Sequence, residues 1–122
     1  MTSELETLQD RISTATGQDR ALDLVIATTI DSVSCDPATN PAPNYTSSVE
    51  TCLKLIGSIL PDWHWHVGYG AGGVLPYASL SRLTPKDGSA EHFVEATSST
   101  VPLSLLLAAV RALIKVEQGK RK

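Results

Sequence analysis

Trp63-His64-Trp65-His66-Val67-Gly68-Tyr69 alternates large apolar residues with polar or small ones without a break. A period of two places Trp63, Trp65, Val67 and Tyr69 on one face of a strand and His64, His66 and Gly68 on the other. Gly70-Ala71-Gly72-Gly73 then offers a permissive turn, and residues 74–83 read as the returning strand of a hairpin. Pro76 within that run asks for an edge position or a bulge, because proline has no N–H for a ladder. Residues 84–89, Thr-Pro-Lys-Asp-Gly-Ser, mark a second turn, and Glu91 to Ala96 a third, shorter strand.

On both sides of this meander the apolar period is helical. Ser3-x-x-Glu6 has the form of a capping box opening a first helix, with Leu5, Leu8 and Ile12 as its stripe. Gly17 suits the left-handed position that ends it. Asp19 caps a second helix with Leu22, Val25 or Ile26, Ile30 and Val33 inward, so the two form an αα-hairpin across Thr16-Gly17-Gln18. Residues 34–44 carry Pro37, Pro41 and Pro43 and read as an extended surface loop. Ser47-x-x-Glu50 forms a second capping box for a helix burying Val49, Leu53, Ile56 and Leu60, with Tyr45 as a staple and Pro61 as its stop.

Thr100 caps the last helix, whose first turn tolerates Pro102. Leu103, Leu106, Leu107, Val110, Leu113 and Ile114 make it the most apolar helix, expected at the centre of the sheet. Arg111 and Lys115 mark its exposed side. The fold expected is α+β: three helices, a three-stranded antiparallel meander and a C-terminal helix (αααβββα), with helices covering the sheet. The whole of 1–122 reads as one domain.

Composition narrows the function classes. With 42% hydrophobic and 19% charged residues the chain is of soluble globular type. A net charge of −3 argues against non-specific binding of duplex nucleic acid, which needs many cations to neutralise phosphates. The one dense basic run is the tail, 118–122, read as a solubilising terminus. No stretch approaches the ~20 apolar residues of a membrane span, and the acidic Met-Thr-Ser-Glu start does not resemble a secretory signal. Cys35 and Cys52 lack metal-ligand spacing and suit a reduced, intracellular chain; the sequence leaves their pairing open.

Gly68-x-Gly70-x-x-Gly73 matches the letters of a dinucleotide fingerprint, but that mechanism needs a helix to follow, and Val74-Leu75-Pro76 reads as strand. His64 and His66, about 6–7 Å apart on one strand side, are weak metal candidates. A closed zinc site needs four ligands, and His92 is the one further histidine. The bland reading is a polar sheet face, with no cofactor. No Gly-x-Ser-x-Gly, H-E-x-x-H or C-x-x-C motif occurs, so catalysis is not expected. Trp63, Trp65 and Tyr69 are read first as core facing the helices, and second as a platform for a base. In the second reading the backbone of Gly70, Gly72 and Gly73 and the cation of Arg20 complete a ligand site.

Ala15-Thr16-Gly17-x-Asp19-Arg20-x-Leu22-Asp23-x-x-Ile26 resembles the opening of the phage ABA-sandwich domain family, small proteins of tailed phages and prophages. Tyr45-Thr46-Ser47-Ser48-Val49-Glu50, Pro61-Asp62-Trp63-x-Trp65 and the helix Val101–Leu113 extend the resemblance in order along the chain. It implies a helix–sheet–helix sandwich, but no activity and no catalytic residues. The longer Pro-rich loop and the Gly68–Gly73 turn are departures from the family pattern. The functional expectation by analogy is a non-catalytic accessory protein in the bacterial host cytoplasm, acting by binding in counter-defence. It would sequester a nucleotide second messenger, or block a host defence protein through the Pro-rich loop and an acidic face. A homo-oligomer suits the first role. The alternatives are a structural or assembly protein of the phage particle and a metal- or His-dependent enzyme built on His64, His66 and His92.

Overall fold

Helical and alternating periods separate in space as they do along the chain. The computed structural model describes residues 2–31, 41–69, 76–83 and 90–120. Its elements are α1 (Thr2–Thr14), α2 (Arg20–Thr29), a 3-10 turn (Tyr45–Ser47), α3 (Val49–Ile59), β1 (Trp63–Tyr69), β2 (Pro76–Leu83), β3 (Ala90–Thr97) and α4 (Val101–Lys120). The strands form one antiparallel sheet in the order β1-β2-β3. This is the expected α+β fold, three helices, three strands and a final helix.

Local chemistry explains the boundaries. Asp19 Oδ1 accepts the Leu22 N–H at 3.0 Å and starts α2; Thr100 Oγ1 accepts the Leu103 N–H at 3.2 Å and starts α4. Two expected caps are displaced. α1 already includes Ser3, since it begins at Thr2. α3 is capped by Ser48, whose hydroxyl accepts the Thr51 N–H at 3.2 Å, while Ser47 closes the 3-10 turn before it. Ser48 has the extended backbone a cap requires, φ −135° and ψ 118°. Packed on α4 and the 3-10 turn, α3 buries Cys52, Leu55 and Ile56, followed by Leu60, while Val49 and Leu53 are half-buried. In α2, Ile26 is the buried member and Val25 is half-buried. Pro76 sits on the central strand as its first residue, where a missing N–H interrupts least; the ladder's irregularity lies at Arg82/Leu83 instead.

The middle layer is α4. It packs on β2 and β3 on one side and on α1, α3 and the 3-10 turn on the other. Every residue from Leu103 to Val110 is buried, which accounts for a helix apolar all round. Ser104 is tolerated there because its hydroxyl lies 2.9 Å from the Thr100 carbonyl oxygen and 3.2 Å from that of Pro76. Among the described residues the layer order is therefore sheet, α4, remaining helices. It differs from the helix–sheet–helix order that the resemblance implies.

α4 covers one face of the sheet. The rows Trp65–Leu80–Val94 and Val67–Ala78–Ala96 lie on it, and Leu80, Ala78, Val94 and Ala96 are buried. The rows His64–Ser81–Phe93, His66–Ser79–Glu95 and Gly68–Tyr77–Thr97 form the other face. α4 also wraps one edge. Arg111 Nη1 donates to the Glu95 carbonyl at 2.7 Å and Lys115 Nζ to that of Phe93 at 2.9 Å, so two carbonyls of β3 are turned away from β2 and capped by cations.

Candidate functional site

The surface most open to a partner is the sheet face that α4 does not cover. Period-two alternation in β1 and β3 puts His64 and His66 there beside Phe93 and Glu95, and β2 contributes Tyr77, Ser79 and Ser81. His64, His66, Phe93 and Glu95 are exposed. Phe93 keeps 49% of its surface in solvent, as a bulky apolar side chain framed by polar neighbours. The Tyr77 ring lies over Gly68, its Cε1 3.5 Å from where a Cβ would stand.

The aromatic group read as core divides. Trp63 is buried, yet Trp65, on the same face, is 45% exposed. The reason is lateral: α4 sits over β2 and β3 and meets β1 only marginally, so the outer strand's helix-facing side is left half-bare. Val67 is half-buried on the same strip. The side chain of Tyr69 and the whole of Gly70, Gly72 and Gly73 lie outside the described residues, as do Cys35 and most of the Pro-rich loop.

His64 and His66 share the open face, whereas His92 is in register with Arg82 and its side chain lies outside what the structure describes. Among the described residues no group of three or more His, Cys, Asp or Glu could hold a metal ion.

Arg20 is committed elsewhere. Its Nη1 donates to Asp23 Oδ2 at 2.8 Å and to the Pro43 carbonyl at 3.5 Å, and its Nη2 to the Ala42 carbonyl at 2.7 Å. Asp23 is fully buried and its second oxygen accepts the Thr46 N–H at 2.8 Å. Thr46 Oγ1 in turn accepts the Asp19 N–H at 2.8 Å. Tyr45 adds a hydroxyl hydrogen bond to Asp31. These bonds pin residues 42–46 against α2, so the cation proposed for an anionic ligand serves a structural junction.

Cys52 lies in the same junction, its thiol donating to the Tyr45 carbonyl at 3.0 Å. Burial, and to a smaller extent the Asp23 carboxylate nearby, push the thiol up from 9.0 to about 12. The folded protein at pH 8 should therefore leave Cys52 unmodified by a thiol-alkylating reagent, with mass spectrometry finding the adduct only after denaturation. The sign for stability follows. Keeping the proton stabilises the fold fully below pH 9; the contribution is lost as pH rises from 9 to about 12, where the unfolded thiol ionises and the folded one does not.

Two cavities lined by described residues lie in the helical layer. One, of about 310 Å³, sits between α1 and α2; the other, of about 230 Å³, lies beside Tyr45 and Lys54. Neither is lined by a residue of the ligand site expected from the sequence, although the second includes Pro43 of the Pro-rich loop. Phe93 and Tyr77 were missed as surface residues, although the alternation Phe93-Val94-Glu95-Ala96 carries the signal: Glu95 on the solvent side takes Phe93 with it. Comparison of the chain with protein-family models, with curated proteins and with solved structures finds no match.

Proposed function

We propose that this chain is a non-catalytic accessory protein, of the phage or prophage kind its motifs resemble, that acts by binding a host protein on the open face of its sheet. The observation that carries this reading is Phe93, half in solvent on a rigid face that no described helix covers. An aromatic anchor within a rim of His64, His66, Ser81 and Glu95 has the anatomy of a protein-binding hot spot. The face is made by three paired strands, so a partner meets it with little ordering cost. The test compares wild type with Phe93→Glu and with Lys54→Glu on α3 as a control, each immobilised and exposed to host proteins. Phe93→Glu should weaken capture of a specific partner about thirtyfold, the scale of a hot-spot loss of ~2 kcal/mol. Equal capture by all three proteins would refute the reading.

A second reading, sequestration of a nucleotide signal, is favoured by the half-exposed indole of Trp65, a surface on which a base can stack. Cyclic di- and trinucleotides that raise the Tm of wild type but not of Trp65→Ala would select it over the first.

A further inference from the structure

The two edges of the sheet are not equivalent. On β3 the carbonyls of Glu95 and Phe93 point outward and are held by Arg111 and Lys115, which bars another strand. Backbone direction across the sheet follows from that observation. Directly opposed residues of an antiparallel pair turn their N–H and C=O groups both toward or both away from each other, and the sense alternates along each strand. Glu95 faces away from β2, so Ser79 opposite it faces β1, and His66 opposite Ser79 faces β2. Trp65 and Val67 therefore present their N–H and C=O groups at the outer edge of β1, where no strand of the sheet pairs with them.

β1 runs seven residues and carries no Asp, Glu, Lys, Arg or Pro. A strand of that length with neither gatekeeper charge nor proline lacks the devices that keep edges apart. A second copy of the same strand also meets it without like-charge repulsion. We propose that β1 pairs antiparallel with β1 of a second copy, about a two-fold axis at His66, giving a continuous six-stranded sheet.

The register is set by the outward groups. Trp65 and Val67 exchange backbone hydrogen bonds with Val67 and Trp65 of the second copy, and His66 stands opposite its own counterpart in the wider gap. On the helix side each half-exposed Trp65 lies against the other copy's half-buried Val67, an aromatic–β-branched pair of the kind that stabilises sheets. Both copies bury what α4 leaves bare. The association closes at two, because among the described strands the remaining edges are the blocked β3 strands. The open faces then lie side by side, and the four imidazoles of His64 and His66 form one row across the axis. This inference holds whether or not the face binds a host protein.

The test uses the full chain with Cys35→Ser, leaving the buried Cys52 in place. His66→Cys should form a disulfide-linked dimer on mild oxidation, because opposed Cα atoms across the axis are about 4.5 Å apart. His64→Cys should not, since its counterparts stand four residues apart along the strand, about 13 Å. In sedimentation at sub-millimolar concentration wild type should be a dimer and Trp65→Lys a monomer with an unchanged far-UV circular dichroism spectrum. A wild type that stays monomeric overturns the proposal. A dimer that survives Trp65→Lys and is not linked through His66→Cys overturns it as well, by placing the interface elsewhere.

Discussion

Truncating Leu105 to alanine is expected to lower the unfolding free energy by about 3–4 kcal/mol, read from the urea midpoint at unchanged slope. Leu105 is fully buried within α4, the helix that has the sheet on one side and α1 and α3 on the other. A cavity made at a peripheral helix can be closed by that helix moving in. One made in the middle layer cannot, because each flanking layer is held by the rest of the same helix. Against a total stability of about 5–15 kcal/mol for a domain, the loss is a large fraction. Leu113→Ala, half-buried on the same helix, is the internal control and should cost less than half as much.

Asp23→Ala should be the next most damaging single change, at about 3 kcal/mol. The carboxylate is fully buried, accepts the Thr46 N–H and holds the Arg20 guanidinium. The ion pair itself contributes the smaller part, because the Arg20 side chain is 48% exposed and can return to water. The larger part is the buried N–H of Thr46, left without an acceptor. Asp23→Asn separates the two: its carbonyl can still accept from Thr46, so it should retain more than half of the stability that Asp23→Ala loses. Chemical denaturation of both variants, with amide exchange at Thr46, checks the division.

Periodicity carried the fold because it reports which residues share a face. The seven-residue alternation in β1 and the stripe Leu5, Leu8, Ile12 in α1 are such reports, and both hold in the structure. What periodicity cannot report is whether a shared face is covered. Trp63 and Trp65 have the same parity, yet one is buried and the other half-bare, a difference set by where α4 crosses the sheet. The capping box at Ser47 failed for a related reason. Two adjacent serines offer the same hydroxyl, and the preceding 3-10 turn, built on Tyr45 and its bond to Asp31, selects Ser48. The charge of Arg20 is visible in the sequence and so is its i,i+3 partner Asp23, but its bonds to Ala42 and Pro43 reach 22 and 23 positions along the chain, beyond any local pattern. One long-range feature is legible in the sequence, the central place of the last helix. The unbroken run Leu103–Val110 has no polar side except Ser104, and a helix with no polar side needs neighbours all round.

The placement of α4 has a consequence for biosynthesis. It is translated after every element it joins, so α1 and α3 are made before the helix that covers their inward faces, and so is the sheet. At elongation rates of about 5–20 residues per second the first helix waits roughly 4–17 seconds before residue 101 is even added. The contacts between α1 and α4 close a loop that spans most of the chain, so the layers join only once the last helix is available.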